Sequence, residues 1–126
     1  MSGRASPVGH RVTSSHKFRY QRWVGELWAG EPVAHELVSD DFVGHWPTRD
    51  VPGPDELQVM VDSTLGQLRD LILVVDIDPS AEGDLLAARW IGTGSTSTGP
   101  VRFIGNDILR VADDRFVEYW YGASPA

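Results

Sequence analysis

The segment FIGNDILRV, residues 103–111, places a carboxylate where the pattern predicts a buried strand. Its apolar members are residue types that favour a pleated, half-buried strand, whereas aspartate, here Asp107, is among the types most depleted from strands. Burial among apolar side chains disfavours the charged form of a carboxyl group and raises its pKa, and an acid tuned in this way can serve as a general base. Asp107 is therefore the first candidate catalytic residue.

An ion pair is the competing interpretation of Asp107, because a buried aspartate is rarely left without a partner. The partners considered are Arg89, on the predicted neighbouring strand, and Arg102. Arg110 is a weaker partner, since a residue three positions along a strand lies on the opposite face. The residues alone leave both interpretations open.

Two other polar residues that could take part in catalysis lie in apolar segments. His45 precedes Trp46 in a short extended segment, where a lone histidine is more often a structural hydrogen-bonding residue than a catalytic one. Arg89 and Trp90 alternate along a strand, so only one of them can face inward. An inward Arg89 could stabilise an enolate oxygen or anchor an anionic group, whereas an outward one would form a surface or interface ion pair.

Three helices are predicted in the first half of the chain. Apolar residues recur from Tyr20 at the i, i+3, i+4, i+7, i+8 spacing of an amphipathic helix over residues 16–28. A short second helix is predicted over residues 32–37, and a third begins near Pro54, with acidic residues in its first turn. The predicted buried face of the third helix consists of Leu57, Met60, Val61, Thr64 and Leu68.

Strands and turns fill the second half of the chain. The strands are predicted over residues 71–78, 85–98, 101–111 and 115–124, with a stop for the first of them in the PSAEGD segment. Helices followed by a run of antiparallel hairpins are typical of an α+β fold, in which the helices cover one face of a curved sheet. Asp107 would then lie on a central strand.

Length and composition predict one domain. The chain has 126 residues, which is enough for one hydrophobic core, and we expect a disordered polar tail over residues 1–15 and a single domain over residues 16–126. It contains no cysteine, which excludes disulfides, thiolate zinc sites and a cysteine nucleophile. The four histidines show no metal-binding spacing, and no metal or organic cofactor is expected.

The net charge and the hydropathy of the chain restrict the classes of partner and the location that we expect. The net charge of −7 disfavours binding to a nucleic-acid backbone. No apolar run approaches the ~20 residues needed to span a bilayer. No segment at the start of the chain has the apolar core of a secretory signal, so a cytoplasmic location is the expectation.

Three segments together resemble a known family. They are DDFVGHWP and VPGPDEL within residues 40–57, ARWIGTG at 88–94, and GNDILRVADDRFVEYW at 105–120. Their order and spacing resemble the SnoaL-like polyketide cyclase branch of the nuclear transport factor 2-like (NTF2-like) superfamily, over about residues 16–121. The resemblance implies a cone, in which a curved antiparallel or mixed sheet and three helices enclose an apolar pocket.

The resemblance also implies a chemistry for the pocket. In the family, the aspartate of the Gly-x-Asp-Ile-x-Arg strand, which is Asp107 here, removes a proton from a carbon between two carbonyl groups. The enolate then closes a ring by aldol addition without a cofactor. The histidine that corresponds to His45 lies near the pocket mouth. The chain departs from the family at Gly94, which occupies the position of a pocket histidine, and the loop that follows is several residues short.

Aromatic residues are the main candidates for substrate contact. The chain has five tryptophans and three tyrosines, which suit a pocket for a flat, hydrophobic or aromatic ligand but would also suit a plain core. In the last strand, Glu118 and Trp120 share one face and Tyr119 and Tyr121 the other. One face is expected to line the pocket and the other to be covered by a second subunit in a homodimer. The predicted contact residues are Tyr20, Trp23, Trp46, Met60, Trp90, Phe103, Leu109, Tyr119 and Trp120.

Three functions are compatible with these residues. The first is a cyclase or isomerase that acts on an activated carbonyl compound through Asp107, with His45 and Arg89 as further catalytic candidates. The second is a non-catalytic small-molecule-binding or dimerisation module with the same fold. The third is an epoxide hydrolase that uses Asp107 and Arg89, although Asp76 and Asp78 are poorly placed to supply the second aspartate that this reaction needs.

Overall fold

Three α-helices and a 3-10 turn precede most of the sheet. The structure is a computed structural model that describes the backbone of residues 5–126 and the side chains of residues 15–126. The helices are α1 (Ala5–Gly25), α2 (Ala34–Leu37) and α3 (Gly53–Gly66), and the 3-10 turn is Leu27–Ala29.

The first helix differs from its predicted bounds at both ends. It begins at Ala5, inside the segment predicted as a polar tail, of which residues 1–4 lie outside the described residues. Pro7 does not prevent this early start, because the first-turn amides of a helix have no intrahelical partner to lose. At the other end, the apolar pattern continues to Trp28, but the α-helix stops at Gly25 and the 3-10 turn carries the rest.

Seven strands form one mixed sheet in the order β2-β1-β6-β5-β4-β3, with β7 paired to β5. Strands β1 and β6 run parallel, and every other pair is antiparallel. The bounds are β1 (Val38–His45), β2 (Asp50–Pro52), β3 (Arg69–Glu82), β4 (Leu85–Thr96), β5 (Gly99–Ala112), β6 (Arg115–Trp120) and β7 (Ala123–Pro125).

The strand pattern is largely as predicted, with three corrections. Strand β2 is too short to leave an alternating pattern and was not predicted. The strand predicted over residues 115–124 is interrupted after Trp120, and its end forms β7, which pairs with β5. Strand β3 continues to Glu82, past the predicted stop at Pro79. Proline is tolerated there because β3 is the last strand of the sheet and its pairing with β4 shifts register on both sides of Ile77.

Aromatic packing joins the helices to the inner face of the sheet. Trp23 of α1 is 1% exposed, and its ring centroid lies 6.5 Å from Phe42, 5.5 Å from Phe116 and 5.1 Å from Tyr119. Leu57 and Val61 of α3 are also fully buried in this core. The predicted α+β class is confirmed. None of the helices in the described part of the chain is long and apolar enough to cross a membrane.

Candidate active site

A cavity of about 280 Å³ lies between the inner face of the sheet and the helices. Helix α1 and the 3-10 turn supply one wall, α3 supplies the second, and β3 to β6 form the floor. Most of the lining is aromatic or aliphatic. It consists of Trp23, Val24, Trp28, Trp46, Thr48, Met60, Thr64, Leu68, Leu71, Leu73, Trp90, Phe103, Asp107, Tyr119, Tyr121 and Ala123.

Asp107 is the chemically distinctive member of this lining. It is 2% exposed, and each of its carboxylate oxygens accepts a hydrogen bond from a tyrosine. The Tyr20 hydroxyl donates to Oδ2 at 2.8 Å, and the Tyr119 hydroxyl donates to Oδ1 at 2.8 Å. Tyr20 reaches Asp107 from α1 and Tyr119 reaches it from β6, so two elements far apart in sequence hold one side chain.

Two opposing effects set the pKa of Asp107. Burial raises this pKa above its ordinary value, because the charged form loses its hydration. Hydrogen bonds from Tyr119, Tyr20 and the Trp90 indole lower it, since they stabilise the carboxylate. The effect of burial is the larger of the two, so Asp107 holds a proton more strongly than an exposed aspartate does.

The ion pair considered as an alternative for Asp107 does not form with either predicted partner. Arg89 lies on the outer face of the sheet, where its Nε is 3.6 Å from Asp76 Oδ2. Arg102 is exposed. Among the described residues, no cationic side chain is paired with Asp107, so two phenols take the place of the expected arginine.

Most of the predicted contact residues surround Asp107 in the structure. Six of them line the cavity: Trp23, Trp46, Met60, Trp90, Phe103 and Tyr119. Tyr20 and Leu109 are both fully buried but lie behind the lining. Tyr20 therefore reaches the site only through its hydrogen bond to Asp107.

Three predicted site residues, His45, Arg89 and Trp120, lie on the outer face of the sheet and do not line the cavity. The reason is strand alternation. Each is next to an inward-facing aromatic residue of the lining: Trp46 beside His45, Trp90 beside Arg89, and Tyr119 beside Trp120. The expected placement of these three residues at the pocket is thus corrected.

The surroundings of His45 are those of a structural histidine. Its Nε2 lies 2.7 Å from Glu118 Oε2, and its Nδ1 lies 3.0 Å from Asp50 Oδ1. Hydrogen bonds to Glu118 first, and then to Asp50, raise the pKa of His45. The histidine thereby links β1 to β2 and β6 on the outer face of the sheet.

The contacts of strand β6 show which of its faces lines the cavity. Tyr119 and Tyr121 face inward and line it, while Glu118 and Trp120 face outward. Phe116 is nevertheless fully buried, although simple alternation groups it with Glu118. A register shift in the β5–β6 pairing between Arg110 and Val111 explains the exception.

Glycines give the tryptophans of the lining room to lie flat against the sheet. Trp90 lies over Gly105, its partner across β4 and β5, and a Cβ atom at Gly105 would overlap the indole ring. A Cβ at Gly44 would lie 2.5 Å from Trp46 in the same way. The aromatic lining therefore depends on residues that contribute no side chain.

The Gly105→Ala variant is expected to displace Trp90 and to lower the free energy of unfolding by about 1–3 kcal/mol, the usual cost of overpacking. Denaturant unfolding followed by tryptophan fluorescence measures both effects. Gly66→Ala is the matched control, because nothing lies within 4 Å of a Cβ at Gly66. Equal stability of Gly105→Ala and the parent would contradict the close packing of Trp90 on Gly105.

The position of Gly94 is closed by the start of β3. A Cβ at Gly94 would lie 3.1 Å from the Arg69 carbonyl oxygen and 3.5 Å from the Leu71 Cα. A side chain such as histidine at this position would therefore require the β3 backbone to shift.

Sequence reasoning missed part of the lining. Trp28, Thr48, Leu71, Leu73 and Tyr121 were not among the predicted contacts. Strand alternation places the two leucines on one face of β3, with Ile72 and Val74 on the other face and more than half exposed, but all four residues are apolar, so the sequence did not show which face is inside. Thr48 lies outside any strand or helix and carried no such signal.

Metal-binding geometry is absent from the part of the chain whose side chains are described. No group of three or more His, Cys, Asp or Glu residues there is arranged to hold a metal ion. The polar groups that the described lining offers are the carboxyl group of Asp107, the hydroxyls of two tyrosines and two threonines, and the indole N–H groups of four tryptophans.

The mixed sheet, the helices on its inner face and the cavity between them define the NTF2-like class of α+β domains. Within that class the family is specific. The SnoaL-like domain profile matches residues 20–119, and the chain belongs to this family. A search of curated proteins returned no significant match.

Solved structures with the same fold include proteins of different described functions. One from Jannaschia sp. CCS1, provisionally assigned as a SnoaL-like polyketide cyclase, has a TM-score of 0.80 at 17% identity, covering 89% of this chain and 87% of its own. IdmH from Streptomyces antibioticus, provisionally assigned as a polyketide cyclase, has a TM-score of 0.71 at 22% identity, covering 84% and 89%. An LEH-like epoxide hydrolase from M. tuberculosis has a TM-score of 0.74 at 12% identity, covering 89% and 84%.

Proposed function

We propose that this protein is a cofactor-independent cyclase or isomerase that uses Asp107 as a general base on an activated carbonyl compound. The observation that carries the proposal is a carboxyl group, 2% exposed, in the wall of an aromatic cavity, with two phenols and no cation among its described partners. A purely structural aspartate would more commonly be paired with arginine or lysine.

The reaction needs few catalytic groups. The Asp107 carboxylate takes the proton from a carbon between two carbonyls, the C–H electron pair moves into the adjacent carbonyl, and an enolate forms. Such a carbon is already acidic, so a base with a modestly raised pKa is sufficient. The enolate then attacks an electrophilic carbonyl in the same molecule, or takes the proton back at another position.

The lining of the cavity favours a neutral, flat substrate. Among the described residues that line it, Asp107 is the only one that carries a formal charge, so an anionic group would meet no compensating cation. Four of the five tryptophans lie in the lining and offer aromatic faces to an unsaturated ring system. A neutral polyketide-like or aryl-substituted dicarbonyl compound matches this surface.

Deuterium exchange at the central methylene of benzoylacetone tests the proposal directly. In deuterated buffer, the protein should accelerate exchange above the buffer rate, and the rate should rise with pH to a plateau as Asp107 ionises. NMR spectroscopy measures the exchange. Benzoylacetone that binds without faster exchange would favour the second candidate, a non-catalytic binding module.

Epoxide hydrolysis fits the site less well. The arginine considered for this reaction, Arg89, pairs with Asp76 on the outer face and does not reach the cavity. Asp107 alone supplies one of the groups that would hold and activate a water molecule.

The homodimer stays a prediction. The outer face of the sheet exposes more apolar surface than isolated residues would, with Ile72, Val74 and Ile77 each more than half exposed and Ile108 44% exposed. This is the face that a second subunit would cover, and a patch of this kind is typical of an interaction surface.

A further inference from the structure

We propose that the Tyr119 hydroxyl is a catalytic hydrogen-bond donor, which turns from Asp107 to the enolate oxygen when Asp107 accepts the substrate proton. This inference rests on the proposed function of Asp107 as a base and adds the group that stabilises the charge formed. Tyr20, which binds the same carboxylate, is inferred to be a positioning residue only.

The two tyrosines differ in their access to the cavity. Both hydroxyls lie 2.8 Å from Asp107, Tyr119 on Oδ1 and Tyr20 on Oδ2. Both side chains are buried, Tyr119 being 2% and Tyr20 0% exposed, but Tyr119 is part of the cavity lining and Tyr20 is not. A substrate oxygen that lies in the cavity against Asp107 therefore meets Tyr119 and not Tyr20.

The Tyr119 hydroxyl reorients because proton transfer changes Asp107 from an acceptor to a donor. Before the reaction, Oδ1 of Asp107 is an acceptor and the Tyr119 hydroxyl donates to it. Once Oδ1 has taken the substrate proton, it becomes a donor, and its best acceptor is the Tyr119 oxygen 2.8 Å away. The Tyr119 hydrogen is then free to rotate about the C–O bond and donate to the new enolate oxygen.

The step balances without a further reactant. The substrate loses one proton to Asp107 and gains negative charge on oxygen. Tyr119 loses no proton and only changes its acceptor, which is consistent with a phenol whose pKa burial and Asp107 raise well above its ordinary value. The negative charge moves from the carboxylate to the enolate oxygen, and the Tyr119 hydroxyl changes its acceptor from the first to the second.

No other described group is as well placed for this role. The other described cavity-lining groups that can donate a hydrogen bond are Tyr121, Thr48, Thr64 and the indoles of Trp23, Trp28, Trp46 and Trp90. Of these, the Trp90 indole also contacts Asp107, but it is held flat over Gly105 and cannot rotate its N–H independently of the ring. A hydroxyl can reorient about one bond.

The test compares Tyr119→Phe with Tyr20→Phe in the benzoylacetone exchange reaction, measured across pH. Both variants lose one hydrogen bond that lowers the pKa of Asp107, so both pH profiles should move to higher pH. Tyr119→Phe should also lower the plateau rate by about 10²–10³-fold, the usual effect of losing one donor to a developing oxyanion. Tyr20→Phe removes only a contact that positions Asp107, so its plateau rate should fall by much less than that of Tyr119→Phe.

The outcomes separate this inference from the proposed function. Equal plateaus for the two variants, in a parent that is active and depends on Asp107, would overturn the role of Tyr119 and leave the base intact. An inactive parent would overturn the base and the inference together. Circular dichroism and thermal unfolding check that both variants are folded. If Tyr119→Phe is not, 3-fluorotyrosine placed at position 119 alone keeps the hydroxyl and makes it a stronger donor, so the plateau rate should change, and an unchanged plateau would overturn the role of Tyr119.

Discussion

The Asp107→Asn variant is expected to lose 10²–10⁴-fold in the exchange rate, the contribution typical of a positioned general base. Its free energy of unfolding at neutral pH should be unchanged or higher than that of the parent. A lower rate without lower stability would distinguish a catalytic residue from a structural one. Replacing a structural residue lowers the stability of the protein, whereas a carboxylate held in an apolar site for catalysis destabilises the parent, so its replacement does not.

The direction of the stability change follows from the pKa of Asp107. Burial raises this pKa above the ordinary value of 3.8, so the folded state binds the proton more tightly than the unfolded state does. The contribution of Asp107 to the stability of the parent is then fully present below pH 3.8, and it falls as the pH rises through the folded pKa of Asp107. Asparagine carries no charge, so the variant should not show this fall.

Asparagine also suits the hydrogen-bonding geometry. Its carbonyl oxygen can accept from one tyrosine hydroxyl, and its amide can donate to the oxygen of the other, so neither 2.8 Å contact needs to break. Urea unfolding of both proteins at several pH values measures the effect. Asp78→Asn is the control, because Asp78 is exposed and forms no hydrogen bond or ion pair with another described side chain.

The opposite result would have a clear meaning. A loss of about 3 kcal/mol or more in Asp107→Asn at neutral pH would indicate that the charged carboxylate stabilises the fold, as one half of a buried ion pair does. The general-base proposal would then have no support from stability, and a binding module would be the better description.

The sequence predicted the elements whose signal is local and periodic. The helix face of Tyr20 and Trp23, the helix start near Pro54 and the break between the strands predicted over 101–111 and 115–124 all appear in the structure, the last as a turn with positive φ angles at Asp113 and Asp114. Strand β2 was missed because three residues cannot show alternation, and the separation of β7 from β6 depends on the pairing of β7 with β5. The edge position of β3, which lets Pro79 remain in a strand, is a property of the sheet that no local pattern contains.

The candidate site was also predicted where its signal is local and missed where it depends on tertiary packing. Asp107 was found because a carboxylate among strand-forming apolar residues is unusual within a single segment. Its partners were not predicted, since they are Tyr20 and Tyr119, which are 87 and 12 residues away in the chain, and not the arginine that was considered as an alternative. Alternation showed that Arg89 and Trp90 must face opposite sides, but which side is the inside depends on where the helices pack.

The Trp23→Ala variant is expected to lose about 3–5 kcal/mol of unfolding free energy, the range for removing a fully buried large aromatic side chain. Trp23 is 1% exposed, and it contacts Phe42, Phe116 and Tyr119, which come from β1 and β6. Strands β1 and β6 are the parallel pair of the sheet. Trp23 packs α1 against both of these strands. Its loss would leave a cavity that these strands cannot close without shifting.

Trp120→Ala is the matched control, since it removes the same side chain from the outer face of β6. Trp120 is half-buried there, with the Arg110 guanidinium 5.6 Å from its ring centroid and the His45 ring 5.7 Å away. Such an exposed cation–π contact contributes about 0.5–1 kcal/mol, so this variant should lose far less stability than Trp23→Ala. Comparable losses from the two variants, measured by urea unfolding, would mean that the outer face is as tightly packed as the core, for example beneath a second subunit.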